Sequence, residues 1–396
     1  MSAPIIAVEP GKAVTLLRQE EDGWRGSPVA RAGFWPAWRP GHDAVSVSVV
    51  VDEGKRQRSA IEMLDLDGNH LRNLYESPLG GDAVIAPNVP HYALWSPGGD
   101  RLALVAQGRA GLTLFLSEAD GPLIADPIQT GAPLFLAWAP DGGRLAVHAG
   151  VNLSVLELAE ARASRPISAD ARGFRTPAFS DDGELLAFAT PDGTGDGVVV
   201  QVAAGSGEAS EAVHELPGGV ALAFRPGTRT LTIAVTTRPA SGAFDELWTV
   251  DLSDGGEPEL LLRRAFTSVF WDPAGEKLAF IVPSATGDGS VSLQARTAAG
   301  EFLGASAPFT PSPDYQTLAG FFDQYGRSHR LWAPDGSVFL AGGRLFTDSP
   351  AVAFSDGSHD AILSWRPERG SPIERIGQAG IGFFPPPALE EGFGKA

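Results

Sequence analysis

Trp138-Ala139-Pro140-Asp141-Gly142-Gly143-Arg144-Leu145-Ala146-Val147 sets a pattern that this chain of 396 residues follows seven times. An aromatic is followed by a turn of Pro, Asp and Gly, and the turn by a short apolar run. The other copies open at Trp38-Arg39-Pro40-Gly41, Trp95-Ser96-Pro97-Gly98-Gly99, Phe179-Ser180-Asp181-Asp182-Gly183, Phe224-Arg225-Pro226-Gly227, Trp271-Asp272-Pro273-Ala274-Gly275 and Trp332-Ala333-Pro334-Asp335-Gly336. Successive aromatics lie 57, 43, 41, 45, 47 and 61 residues apart. Pro presets φ for the first corner of a tight turn, and Asp or Gly tolerates the later corner where φ turns positive. A strand-rich unit returning with a period in the low forties is the signature of a β-propeller blade.

The runs after the turns, such as Leu102-Ala103-Leu104-Val105 and Leu278-Ala279-Phe280-Ile281, are short and apolar, bounded by Gly or Pro. The aromatic before each turn is suited to filling the space between twisted blades. Second hairpins follow, most plainly at Asp67-Gly68 and Ala119-Asp120-Gly121. No window shows sustained helical periodicity. The expected architecture is all-β: a single seven-bladed β-propeller of four-stranded antiparallel blades over residues 26–380. Residues 1–25 are expected to supply strands that close the last blade, with 13–18 as its outer strand beside 361–365. Residues 381–396, with Pro385-Pro386-Pro387 and Glu390-Glu391, read as an extended tail outside the core.

The phrase resembles the repeat of bacterial TolB-type, or WD40-like PD40, propellers: aromatic-Ser-Pro-Asp-Gly and then a Leu-Ala-Phe-like strand. The copies at Trp138 and Trp332 match it closely, whereas those at Trp38 and Phe224 lack the Asp. The resemblance covers about residues 34–375. It implies the propeller fold but is poorly specific for function, since members include envelope-complex subunits and the propeller parts of peptidases. TolB itself resembles a secreted protein with an extra N-terminal domain. Neither a secretory signal nor room for such a domain is read in this chain, so a cytoplasmic location is expected.

Composition narrows the classes. The formal charge is −18, with 48 acidic against 30 basic residues. Such a polyanion disfavours nucleic-acid phosphate and anionic membrane surfaces. With no cysteine, disulfides and thiolate metal sites are excluded. No apolar run approaches the length of a membrane span. A monomeric propeller without cofactor or metal is expected.

Catalytic motifs fail on inspection. The sequence contains no Gly-x-Ser-x-Gly elbow. His214-Glu215-Leu216-Pro217-Gly218 lacks a second His, and its Pro and Gly forbid the helix of a zinc protease. Gly193-Thr194-Gly195-Asp196-Gly197 has no Lys and reads as a turn. Asp65, Asp67, Asn69, Asn73 and Glu76 fall at calcium-loop spacing, but His70 stands where Gly is required, and the same residues read as a hairpin turn.

The informative places are where the repeat lengthens. Residues 78–92 and 310–330 both precede an innermost strand, so both belong to the face on which the chain runs into the channel. Loops on a rigid scaffold carry binding groups. The second insertion contains Phe321, Phe322, Asp323, Gln324, Tyr325, Arg327, His329 and Arg330; the first ends in His91 and Tyr92. Equivalent points of other blades supply Trp35, Phe135, Phe174, Arg175 and Phe266. Phe321, Phe322, Asp323, Gln324, Tyr325, His329, Arg330, His91, Tyr92 and Arg175 are therefore the candidate binding residues. Alternatively Phe321 and Phe322 plug the channel while Asp323 and His329 pair over it. No catalytic or metal-ligating residue is assigned. The expected function is a non-enzymatic scaffold that binds a partner protein or peptide on this face. By the TolB resemblance, that partner belongs to a larger, membrane-associated assembly. The competing expectations are a hydrolase- or lyase-type enzyme or small-ligand binder at the channel mouth, and a detached relative of peptidase propellers.

Overall fold

Each aromatic–Pro–Asp–Gly phrase forms the turn between the innermost strand of a blade and the second strand. The computed structural model describes the chain except residues 1–2, 10–11, 53–56, 78–84, 86–88, 109–110, 124–126, 160–162, 196, 239–241, 254, 347–359 and 388–396. The described residues form six four-stranded antiparallel sheets and one eight-stranded sheet. The larger sheet is two blades joined by Phe309–Pro311, which pairs with Val291 on one side and with Phe339–Leu345 on the other. Successive sheets pack on one another, and the last meets the first through Phe339–Leu345 against Ile381–Phe383. The result is a ring of blades around a central channel.

The strands sort into eight blades rather than the expected seven. In chain order the innermost strands of blades 2 to 7 are Phe34–Trp38, His91–Trp95, Leu134–Trp138, Ala178–Phe179, Gly219–Phe224 and Ser268–Trp271. Blade 8 opens at Trp332, which bridges to Phe339. Blade 1 is built from both ends of the chain: Ile381–Phe383, then Ile5–Val8, Val14–Glu20 and Gly23–Ala30. Its first and second strands come from opposite ends of the sequence, so no turn joins them and no phrase marks the blade. Two further expectations are corrected with it. Val14–Glu20 lies between Ile5–Val8 and Gly23–Ala30 rather than beside Ala361–Trp365. Ile381–Phe383 is a buried inner strand and not part of an outer tail.

Neighbouring blades are latched in both directions by residues of the phrase. Arg39 lies over the ring of Trp95 and donates from Nε to the carbonyl of Gly99 at 2.7 Å. Arg225 repeats this on Trp271 and Gly275, and Lys277 on Trp332 and Gly336. Indole N–H groups reach back: Trp38 to the carbonyl of Phe383, Trp138 to that of Leu94, and Trp332 to that of Phe270. The turn glycine is required twice over. Gly99 has φ of 69°, and a Cβ there would meet the Pro40 carbonyl oxygen of the preceding blade at 2.4 Å. The phrase thus encodes the contact between blades as well as the turn within one.

Hairpin-turn carboxylates contribute part of the acid sensitivity. Asp65, Asp192, Asp251, Asp288 and Asp335 accept hydrogen bonds first from Asn69, Thr194, Ser253, Ser290 and Ser337, which hold each carboxyl below its ordinary 3.8. The unfolded chain therefore takes up these protons first as pH falls. The stabilisation is complete above 3.8 and is lost as pH drops through the depressed folded values. The buried, neutral His91 and His329, held at about 3 against an ordinary 6.5, add a larger loss that begins higher, so melting temperature is expected to fall from about pH 6.5 downwards and to keep falling below about pH 4. A melting temperature that climbs across that window would show that these groups do not govern acid stability.

Candidate functional site

The long insertion before blade 8 does not remain a loop. Ser312 caps helix α1 (Pro313–Gly320), its hydroxyl accepting the Tyr315 N–H at 3.1 Å. Pro313 and Asp314 follow in the first turn, where a fixed φ and a negative charge suit a helix N-terminus. A single further turn, α2 (Phe322–Tyr325), packs against the innermost strands of blades 4, 6 and 7. It stands on the axis, in the upper mouth of the channel.

The predicted site residues are brought together, but most face inward. Tyr325 stacks on Trp35 with ring centroids 4.6 Å apart, and meets Tyr92 edge-on at 5.1 Å. The Tyr92 hydroxyl donates to the Gln324 carbonyl at 2.7 Å. Phe322 sits edge-on against Phe244 and Phe270. His329 lies among Trp35, Tyr325 and Phe383, with Nδ1 2.7 Å from the Ser328 hydroxyl. His91 is apart from this group, turned between blades 2 and 3 and held by Ser48 and Ser59. Burial lowers both His91 and His329 to about 3, so both rings are neutral near pH 7.

Asp323 does not pair with His329. Its buried carboxylate lies 2.7 Å from Nη2 of Arg175, and Arg175 also donates to the Gly320 carbonyl. Burial raises the Asp323 carboxyl from its ordinary range, while Arg175 acts in the opposite direction. The Arg175 guanidinium also covers the ring of Phe321, which is 42% exposed. Of the two phenylalanines expected to plug the channel, Phe322 does so and Phe321 stays at the surface. Arg175 itself is placed by His148, whose ring nitrogens lie 2.7 and 3.0 Å from the carbonyls of Arg175 and Ala171. The His148 ring stacks on Phe174 at 4.5 Å, so the segment 171–175 is held on both sides.

Beside α1 the same face opens into a cleft of about 770 Å³ between blades 5, 6 and 7. Val220, Ile281, Pro283, Val291, Phe244 and Ala319 contribute apolar wall, and Thr236, Thr267, Ser284, Ser290 and Gln316 contribute polar groups. Among the described lining residues the ionisable ones are Arg175 and Tyr315, and Arg175 is already paired with Asp323. In a chain with 48 acidic residues the described part of this wall holds no carboxylate, histidine or lysine. Sequence reasoning missed the cleft except for Arg175. Its wall comes from hairpin ends and small residues that form no motif; the local signal that marks its α1 edge, Ser312-Pro313-Asp314 as a helix start, went unread. Among the described residues no group of three or more His, Asp or Glu is placed to hold a metal, and no helix is long and apolar enough to cross a membrane.

No family model matches the chain, and no curated protein matches it. Solved structures do. A eukaryotic initiation factor is similar over 98% of this chain and 100% of its own, at 11% identity and a TM-score of 0.56. The dihydro-heme d1 dehydrogenase NirN, in complex with DHE, is similar over 95% of this chain and 75% of its own, at 14% identity and a TM-score of 0.55. Oligogalacturonate lyase from Vibrio parahaemolyticus is similar over 84% of each chain, at 12% identity and a TM-score of 0.50. Identities this low speak for a shared fold, and the named proteins include both enzymes and a factor.

Proposed function

We propose that this chain is a non-catalytic β-propeller scaffold that receives an uncharged, largely apolar segment of a partner protein or peptide in the cleft beside α1. The observation that carries this reading is the chemistry of the cleft wall. An apolar surface with hydroxyl and amide groups at its edge suits a neutral segment in extended form. General acid–base catalysis draws on a histidine, carboxylate or similar group within hydrogen-bond reach, and the described wall offers Tyr315 and a guanidinium already engaged by Asp323. Gly173, Gly219, Gly287 and Gly289 on the wall let another backbone come close. The volume also lies in the range of small-molecule sites, about 300–1,000 Å³, so a neutral small ligand is the second reading.

Gly320 provides the test. It lines the cleft at the end of α1, and a Cβ built there meets nothing within 4 Å. Gly320→Trp is therefore expected to obstruct the cleft while leaving the fold intact. An arrayed library of end-capped pentapeptides, half uncharged and half charged, would be screened with both proteins. Wild type is expected to bind members of the uncharged half, and the variant to bind them at least about tenfold more weakly. Binding confined to charged members, or equal binding by both proteins, would refute the reading. Mass spectrometry of small molecules extracted from purified protein separates the second reading from the first.

A further inference from the structure

The wall of the cleft beside α1 uses up its acceptors and leaves donors over. Gly173 accepts the Val220 N–H at 2.7 Å, Ile281 the Thr267 N–H at 2.8 Å, Ser290 the Ser284 N–H at 2.9 Å and Pro311 the Gln316 side-chain amide at 3.0 Å. Arg175 is the reverse case. Its Nε donates to Oδ2 of Asp323 at 3.2 Å, Nη2 faces Oδ1 at 2.7 Å, and Nη1 donates to the Gly320 carbonyl. A guanidinium carries five N–H groups, so one on each terminal nitrogen is left without an acceptor among the described residues. The side chain lines the cleft and is 27% exposed, against 1% for that of Asp323. The hydroxyls of Thr236 and Tyr315, also on the wall, are buried with no hydrogen-bond partner among the described residues, and a hydroxyl can donate.

Charge decides which acceptor fits. Asp323 balances the Arg175 guanidinium, and the described wall holds no other cation. A carboxylate or phosphate brought to the same fork would stand near a buried carboxylate, with no second positive charge to offset the repulsion. A neutral carbonyl oxygen accepts the two N–H groups without that penalty. The fork is also fixed in place: the guanidinium lies over the Phe321 ring, and the Arg175 carbonyl is held by His148 Nδ1 at 2.7 Å. We propose that Arg175 is the specificity-determining residue of the cleft, a charge-balanced donor that receives a backbone carbonyl oxygen of the ligand. The ligand is then an amide, as in a peptide, and neither a hydrocarbon nor an anion. This deepens the reading given above and rests on the cleft being the binding site.

The test is ligand-observed NMR titration of the full chain at neutral pH and constant ionic strength. The two probes are N-acetyl-leucine N-methylamide and N-acetyl-leucine, which end in a neutral amide and in a carboxylate. Wild type is expected to saturate with the methylamide in roughly the millimolar range and to bind the acid at least about tenfold more weakly. Asp323→Asn keeps the shape but removes the balancing charge, so it is expected to reverse that order as the freed guanidinium pairs with the carboxylate. The double variant Arg175→Met with Asp323→Asn removes the donors without stranding a buried charge. It is expected to weaken the methylamide by about tenfold and to gain nothing for the acid. Circular dichroism melts check both variants, and should Asp323→Asn fail to fold, the double variant decides. A merely structural Arg175 would weaken both probes alike and leave their order unchanged. That result overturns the proposal, as does a wild-type preference for the acid or no saturation by the methylamide below about 20 mM. Gly320→Trp separates this failure from that of the cleft. Methylamide binding that Gly320→Trp abolishes, but whose preference over the acid Asp323→Asn leaves unchanged, refutes the role of Arg175 alone. Binding that Gly320→Trp leaves intact refutes the cleft as well.

Discussion

A chain ending at Gly380 is expected to lose its cooperative unfolding transition. Three residues just beyond that point, Ile381, Phe383 and Phe384, are each at most 3% exposed. Burying a side chain of this kind stabilises by about 1.5–3 kcal/mol, so their removal alone withdraws about 5–9 kcal/mol. Native proteins as a class have only about 5–15 kcal/mol in total. Polar contacts go with them. Ile6, Ala7 and Val8 lose their partners Phe383, Gly382 and Ile381. The Trp38 indole loses its acceptor, and the Arg330 carbonyl loses its donor. Ile5–Val8, now buried on every side, becomes an open edge in the wall of the channel. Circular dichroism melts and gel filtration would check this. A truncated chain with a sharp transition within about 2 kcal/mol of the full one would mean that the ring does not need its two ends joined.

That contact also shows why the fold was readable while its blade count was not. Seven blades announce themselves because the residues that turn the chain also bind the next blade, as Arg39 and Gly99 do. Blade 1 has the same four strands, but its inner strand and its second strand are separated by nearly the whole sequence, so local pattern is silent. The insertion at 310–330 stood out by composition, and Tyr325, Tyr92 and Arg175 do converge there. Its direction was not readable: whether Tyr325 faces water or the axis depends on strands from blades 2 and 3, hundreds of residues away. The pairing of Asp323 with Arg175 rather than His329 is likewise a long-range outcome, spanning 148 positions. The turn at Asp65, by contrast, is local and was read for what it is. The Asp65 carboxylate accepts the N–H groups of Asp67 and Asn69 at 3.0 and 2.8 Å, closing the hairpin. The cleft left no trace because its wall is built from ordinary small and apolar residues.

Tyr325→Ala is expected to destabilise the whole propeller by about 3–5 kcal/mol, the usual cost of truncating a large buried aromatic. Tyr325 is 4% exposed and touches three other rings: stacked on Trp35, and edge-on to Tyr92 and His329. Aromatic pairs of these geometries add to simple burial. The cavity left behind would open on the axis, where strands from different blades cannot close together without breaking their own ladders. Tyr325→Phe keeps the stacking and is expected to cost no more than about 1 kcal/mol. Denaturant titration separates the two cases, and hydrogen exchange locates the effect. If α2 is part of the core, Tyr325→Ala lowers the global midpoint and speeds exchange in the inner strands of several blades. If α2 is a removable cap, the midpoint stays and exchange rises only within about residues 313–330. The first outcome means that the upper mouth is closed in the folded state. Ligands would then reach this face through the cleft beside α1. The second outcome would reopen the mouth itself, and with it Asp323, Gln324 and His329, as surfaces that a partner can reach.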